Sequence, residues 1–441
     1  MMGPRTDHVE GDTALPAEVD LVVIGGGVIG CSAALWAAER GHRVALVEKG
    51  RIAGEQSSRN WGWVRRMGRD PAEYPLGIAS LSIWDGLRDR IGAETGFRRT
   101  GVVYTAATDR EMAWLDRIEG DAERFQLGAR RLSRADLDTR FPGHRLGVRA
   151  GILTEDDGRA EPTRAVPALA EGARRAGAAI LTNCAVRGIE TSAGRVTAVI
   201  TELGRIGCEA AILAGGAWSR LFAGNLGIDL PQLRVRGSVL RTDPVEGGPP
   251  HAVGTGRFGL RPRLDGGYTI AKRGRSPVQV TPDAFRLFRQ FLPGLARNSG
   301  ELSLTLDRSA WDGMVTPRRW ADDAETPFER CRVLDPEPQR GMLDRALRDV
   351  RQAFPVFERA TVAERWGGII DVTPDGVPII DRAEALPGLV IATGFSGHGF
   401  GIGPAAGQLA AELAVGGETL VDPAPFRLDR FGAGHTRRAA A

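Results

Sequence analysis

The stretch Leu21–Ala38, LVVIGGGVIGCSAALWAA, runs for eighteen residues without a charge and has three consecutive glycines. Its length and apolarity would suit a membrane span, and Gly26 and Gly30 even have the GxxxG spacing of packed spanning helices. The glycines argue otherwise, because each costs about 1 kcal/mol in a helix interior, and no basic flank anchors the run. A strand, a tight turn and a buried helix suit the same residues better. Val19–Ile24 is then a largely β-branched run buried on both faces. A helix follows to Arg40, closed by Gly41, and Arg43–Val47 is a second strand ending at Glu48.

In that frame Gly25, Gly27 and Gly30 form GxGxxG between a strand and a helix, with Glu48 eighteen residues beyond Gly30. The first glycine permits the turn, the second lets backbone approach a pyrophosphate, and the third lets helix and strand pack closely. The amides around Val28 and Ile29 at the helix start receive phosphate, and the carboxylate of Glu48, next to Lys49, receives ribose hydroxyls. A dinucleotide site follows. The motif does not separate FAD from NAD.

A chain of 441 residues exceeds one ordinary core, so two or more domains are expected. Charged residues make up 26% and the net charge is +3, with no basic block interleaved with aromatics, so no nucleic-acid partner is implied. Cys31, Cys184, Cys208 and Cys331 lack ligand spacing, which argues against a metal site or a disulfide scaffold. The N-terminal twenty residues have no apolar core, so no secretory signal is read and a cytoplasmic location is expected.

Helical patterns fall between Pro75 and Arg140, from Pro162, and over Arg340–Phe354. Short alternating strands run from Gly237 to Val280, and strand, glycine turn and helix return from Trp366. The tail from Thr436 to Ala441 reads as frayed. The fold class is α/β (α+β overall): a Rossmann-like nucleotide domain assembled from 18–83, 143–233 and 362–425, and an antiparallel-sheet substrate domain from 84–142 and 234–361.

The C-terminal stretches WGGIIDVTPDGVPII and PGLVIATGFSGHGFGIGPAAGQLAAEL resemble the D-amino-acid oxidase/sarcosine oxidase (glycine oxidase-like) superfamily of FAD-dependent oxidoreductases. EKGRIAGEQSSRNWGWV, EPTRAVPALAEGARRAGA and AAILAGGAWSRLF follow in the family's order, so the resemblance spans most of the chain. It implies FAD as cofactor and oxidation of a CH–NH bond of an amine or amino acid, by hydride transfer to flavin N5 and hydrolysis of the imine. Oxygen is the expected acceptor, with a quinone or partner subunit as the alternative. A non-catalytic flavin-binding subunit is the alternative of a different class. The resemblance puts Ser57, Ser58 and Arg59 along the pyrophosphate, Val186 at the adenine, and Gly215 and Trp218 beside the cofactor. Gly397, His398, Gly399, Phe400 and Gly401 precede a helix with Pro404 in its first turn, whose amides would face the flavin.

Three departures from the family bear on attachment and substrate. Gly368 stands where monomeric sarcosine oxidases carry a flavin-linking cysteine, so non-covalent FAD is expected. Ile369–Val372 holds no arginine, and Gly401 replaces a lysine, so two usual carboxylate anchors are missing. Replacement substrate contacts are expected from Trp61, Trp63 and Arg65, which would share one strand face, and from Tyr268 and Ile370. Arg66 and Arg69 read as solvated surface.

Lysine is rare here: of 58 basic residues only Lys49 and Lys272 are lysines. By resemblance Lys272 corresponds to a lysine beside flavin N5 that stabilises developing superoxide, a task suited to a compact point charge. It is the catalytic expectation. No metal is expected.

Overall fold

A computed structural model describes residues 3–273, 276–297, 302–305 and 313–432. The tail expected to fray, 436–441, and residues 274–275 beyond the Tyr268 strand lie outside them. Strand β1 (Glu18–Ile24), helix α1 (Val28–Glu39) and strand β2 (Val44–Val47) form the expected βαβ unit. Gly41, at φ +85°, ends the helix in a conformation that suits glycine. No helix among the described residues is long and apolar enough to cross a membrane.

β1 pairs in parallel with β2 on one side and with the long strand Gly204–Leu213 on the other. Ala179–Leu181 extends this sheet beyond β2, and Leu389–Thr393 joins Gly204–Leu213 in parallel. Side chains alternate between two apolar layers. Leu21 and Val23 face α1 and the C-terminal helix Gly399–Val415, while Val22 and Ile24 face Trp218, Phe222 and Phe328.

The second sheet has ten strands and is mostly antiparallel. Its central strand, Leu233–Thr242, pairs with Val362–Val372 over its whole length and with Tyr268–Lys272. The expected 143–233 and 362–425 segments each give one strand to this sheet, Ala150–Thr154 and Val362–Val372. Leu240, Leu260, Ile270 and Tyr268 on one face pack on the helix Arg340–Ala353. The opposite face carries Val239, Ala271 and Trp366, with Trp61 laid across them.

The C-terminal helix begins at Gly399, so Pro404 is an interior residue and not a first-turn one. Close packing explains why its glycines stay helical. A Cβ at Gly403 would lie 2.6 Å from a Val28 methyl, and one at Gly407 would lie 2.5 Å from the Ile29 carbonyl oxygen. The Gly401 carbonyl accepts hydrogen bonds from Ser80 Oγ (2.8 Å) and Trp84 Nε1 (3.0 Å), which holds the first turn against the helix Tyr74–Ile91.

Candidate active site and cofactor cavity

The glycine turn, β2, the strand starting at Val186, the turn after Leu213 and the start of the C-terminal helix enclose one long cavity of about 1240 Å³, open mouth included. Gly25 sits at φ +115°, and a Cβ there would meet the Ala214 carbonyl oxygen at 2.5 Å. A Cβ at Gly30 would meet the Gly25 oxygen at 2.0 Å, so this glycine closes the turn from behind the cavity. Ser57 Oγ accepts the Val28 N–H at 2.9 Å, drawing the Gln56–Arg59 turn of helix across the cradle.

Glu48 accepts the amides of Gly26 (2.7 Å) and Gly50 (2.8 Å), and burial raises its pKa despite those donors and Lys49. Lys49 is held by Glu55 (2.7 Å) and by the carbonyls of Cys331 and Arg332. Its Nζ lies 4.6 Å from the centre of the Trp218 ring, whose Nε1 donates to Glu55.

Of the residues expected to hold cofactor, Gly25, Gly27, Val28, Ile29, Glu48, Lys49, Ser57, Val186, Gly215, Trp218, Gly397, Gly399 and Phe400 line this cavity. Gly30, Ser58, Arg59, His398 and Gly401 stand behind it. Arg59 is buried and ties Asp335 (2.7 Å), the Gly367 carbonyl (2.9 Å) and the Gly54 carbonyl (3.0 Å) together. Sequence reasoning missed Glu55, Gln56, Asn60, Phe328, Asp371 and Phe395 among the lining residues. Glu55, Gln56 and Asn60 flank the expected serines and were within reach of that motif. Phe328 comes from a distant segment with no motif of its own.

The donor set fits an elongated anionic dinucleotide. Two helix N-termini, at Val28 and Gly399, open into the cavity with no acidic residue in either first turn, so both carry free positive ends. Gln56 Oε1 is a buried acceptor with no hydrogen-bond partner among the described residues. Asp371 is locked in place, accepting from Gly394 N (2.6 Å), Gln232 Nε2 (3.2 Å) and Thr393 Oγ1 (3.2 Å), which fixes Ile369 and Ile370 at the cavity wall.

The expected substrate residues divide. Ile370 lines the cavity. Trp61 and Trp63 touch edge to face at 5.5 Å, although only Trp63 lies in a strand, and Trp63 Nε1 is buried without a partner. Arg65 lies 5.8 Å from the centre of the Tyr104 ring. Tyr268 is no cavity wall: it faces the helix side of the second sheet, stacks edge to face on Phe357 and donates to the Pro249 carbonyl at 3.2 Å.

Lys272 also departs from expectation. It shares the face of Tyr268 and Ile270, since alternate strand residues point the same way. Its Nζ pairs with Asp349 at 2.7 Å on the helix Arg340–Ala353, away from the cofactor cavity.

Arg66 and Arg69 are buried, against the surface expectation. Arg66 Nε donates to the fully buried Asp157 at 3.0 Å. Arg69 donates to the Arg65 carbonyl (2.9 Å), and its Nη1 lies 3.6 Å from Glu73. Burial, helped by Arg65, lowers the pKa of Arg69 to about 10. Glu73 is fully buried. Burial alone would raise its pKa, but His398 at 3.2 Å and the two arginines prevail and hold it below the usual carboxylate range. Arg69 Nη2 lies 3.0 Å from where a Cβ at Gly401 would be. A cationic cluster therefore adjoins the place where the family's lysine is missing.

The sequence model described as "FAD dependent oxidoreductase" matches residues 20–413. The chain belongs to this family of FAD-dependent oxidoreductases, the D-amino-acid oxidase family. It is 27% identical to sarcosine oxidase subunit beta of Rhizobium meliloti, over 93% of this chain and 88% of that one. It is 25% identical to the glycine oxidase of Pseudomonas putida, over 92% and 97%. The solved L-amino acid deaminase of Proteus myxofaciens, in complex with anthranilate, superposes with a TM-score of 0.93 at 35% identity, covering 97% of both chains. The protein is thus an FAD-dependent enzyme of the amino-acid and amine oxidoreductase class.

Proposed function

We propose that this FAD enzyme oxidises the Cα–N bond of an L-α-amino acid, releasing an imino acid that water hydrolyses to a 2-oxo acid and ammonia. One observation carries the reading: 35% identity to an L-amino acid deaminase across 97% of both chains. FAD, when bound, supplies the acceptor for the hydride lost from the substrate carbon. The chain's own residues bind, orient and exclude water. Arg65, whose carbonyl accepts from Arg69, takes the substrate carboxylate in place of the missing anchors. Ile370 makes the apolar wall. FAD is held without a covalent bond at this strand, because Gly368 has no side chain that could form one.

Oxygen as acceptor was implied by the resemblance and supported by Lys272. With Lys272 paired to Asp349 on the far face of the sheet that support is gone, and the proposed acceptor is the alternative, a quinone or a protein. Anaerobic flavin bleaching tests both parts. L-amino acids are expected to bleach the holoenzyme, with D-amino acids and N-methyl amino acids ineffective, and the flavin is expected to stay reduced for minutes in air. Bleaching by N-methylglycine alone would sink the substrate assignment, and reoxidation in seconds would return oxygen as acceptor. Arg65→Ala is expected to weaken substrate binding by about tenfold or more with a smaller effect on the rate of bleaching at saturation.

A further inference from the structure

A second cavity shares the Asn60 wall with the cofactor cavity and holds about 540 Å³, open mouth included. It lies between the N-terminal segment at Pro4 and Arg5, the start of the helix Pro162–Arg175, and the sheet face of Arg241, Arg261, Glu364 and Trp366. Four arginines, Arg5, Arg241, Arg261 and Arg263, face two carboxylates, Asp265 and Glu364, so the walls carry a net two positive charges.

The carboxylates behind the walls do not cancel this excess. The buried Glu161 is shared among Arg261 (2.8 Å), Arg159 (3.4 Å) and Arg263 (3.7 Å), one acid for three guanidinium groups. Burial, with Arg261 close by, lowers the pKa of Arg159 to about 10. Arg261, whose side chain is 1% exposed, has a buried Nε with no partner. Arg241 Nε is engaged by Glu364 at 3.0 Å, and its Nη1 lies 3.7 Å from Asp265. The helix beginning at Pro162 has no acidic residue in its first turn, and its N-cap is the arginine-bound Glu161, which offsets part of the positive end where Pro162 and Thr163 meet the cavity.

A polar chamber that gathers four guanidinium groups, one of them fully buried, beside a helix N-terminus suits an anion. We infer that this chamber is a second ligand site, separate from the cofactor cavity, which takes a small dianion such as a dicarboxylate or a phosphate. Arg5 brings the N-terminal segment onto the ligand. Ser58 and Asn60 line the chamber, and Asn60 and Ser57 line the cofactor cavity, so an anion here steadies the turn that crosses the glycine cradle. The inference does not depend on the amino-acid substrate proposed above.

Titration calorimetry on the FAD-loaded enzyme, at constant ionic strength made up with chloride, tests it without turnover. Bound FAD occupies the pyrophosphate cradle, so added inorganic phosphate cannot report on that. Saturable binding of phosphate or of succinate is expected, and whichever binds names the class. Arg5→Ala and Arg241→Gln should each weaken that binding by about tenfold or more while leaving flavin content unchanged. Arg5 is exposed, so its replacement tests the site even if Arg241→Gln fails to fold. No saturable heat with either anion, or equal binding by wild type and Arg5→Ala, overturns the inference.

Discussion

Among single residues, charge type was the least reliable guide to placement. Arg66 and Arg69 read as surface because isolated arginines rarely lie inside, yet the two acids that pay for their burial stand at very different distances. Asp157 is ninety-one positions from Arg66 and invisible in sequence, whereas Glu73 is four positions from Arg69 and was a legible signal. Lys272 stood out by composition, but its strand had two faces and composition cannot choose between them. Its partner Asp349 makes the outcome testable: Lys272→Met is expected to leave both flavin reduction and reoxidation within about twofold of wild type, and to cost no more than about 1 kcal/mol. Stopped-flow half-reactions and urea unfolding check this, and selectively slowed reoxidation would put the lysine back at the flavin. Glu73 gives a pH prediction. Its folded pKa is depressed, so its contribution is present above the unfolded-state value near ~4.3 and is lost as pH falls through the lower folded value. Melting curves of Glu73→Gln should therefore lie below wild type at pH 7, and the gap should close as pH falls below about 4.

At the scale of elements, punctuation was enough for the parts built on local rules. The βαβ unit, the strand Tyr268–Lys272 and the helix from Arg340 follow apolar periodicity, glycine stops and β-branched runs. The start of the C-terminal helix did not follow them, because four glycines and a proline within 397–404 read as loop. Tertiary packing decides that segment: α1 approaches so closely that only glycine fits at 403 and 407, and side chains of the Tyr74–Ile91 helix satisfy the Gly401 carbonyl. Gly407→Val places new carbons 2.5 Å from the Ile29 oxygen and the Ser32 Cβ. Overpacking of this kind costs about 1–3 kcal/mol. Thermal unfolding of the holoenzyme should show that loss, together with weaker flavin retention, because α1 also carries the cradle amides; an unchanged midpoint would mean that the two helices are farther apart than described.

For the whole molecule, the cofactor cavity is assembled from pieces distant in sequence: Gly25–Ile29, Glu48–Asn60, Val186, Leu213–Trp218, Phe328 and Ile369–Phe400. A ligand that touches all of them stabilises the folded state by mass action, by about 4 kcal/mol at a free concentration a thousandfold above its Kd. Stripping FAD should therefore lower the melting temperature, and added FAD should restore it in a concentration-dependent way, whereas a covalent flavin would give neither behaviour. Acid precipitation separates the two cases directly. The strand Val362–Val372 carries glycine at 368 and no cysteine, so no thiol reaches the flavin from it, and all yellow colour is expected in the supernatant. Colour retained in the pellet would require another attachment residue; of the four cysteines Cys31, Cys184 and Cys208 are buried with thiols raised by desolvation, and Cys331 is partly exposed. Cys331→Ser would then decide whether that thiol is the link.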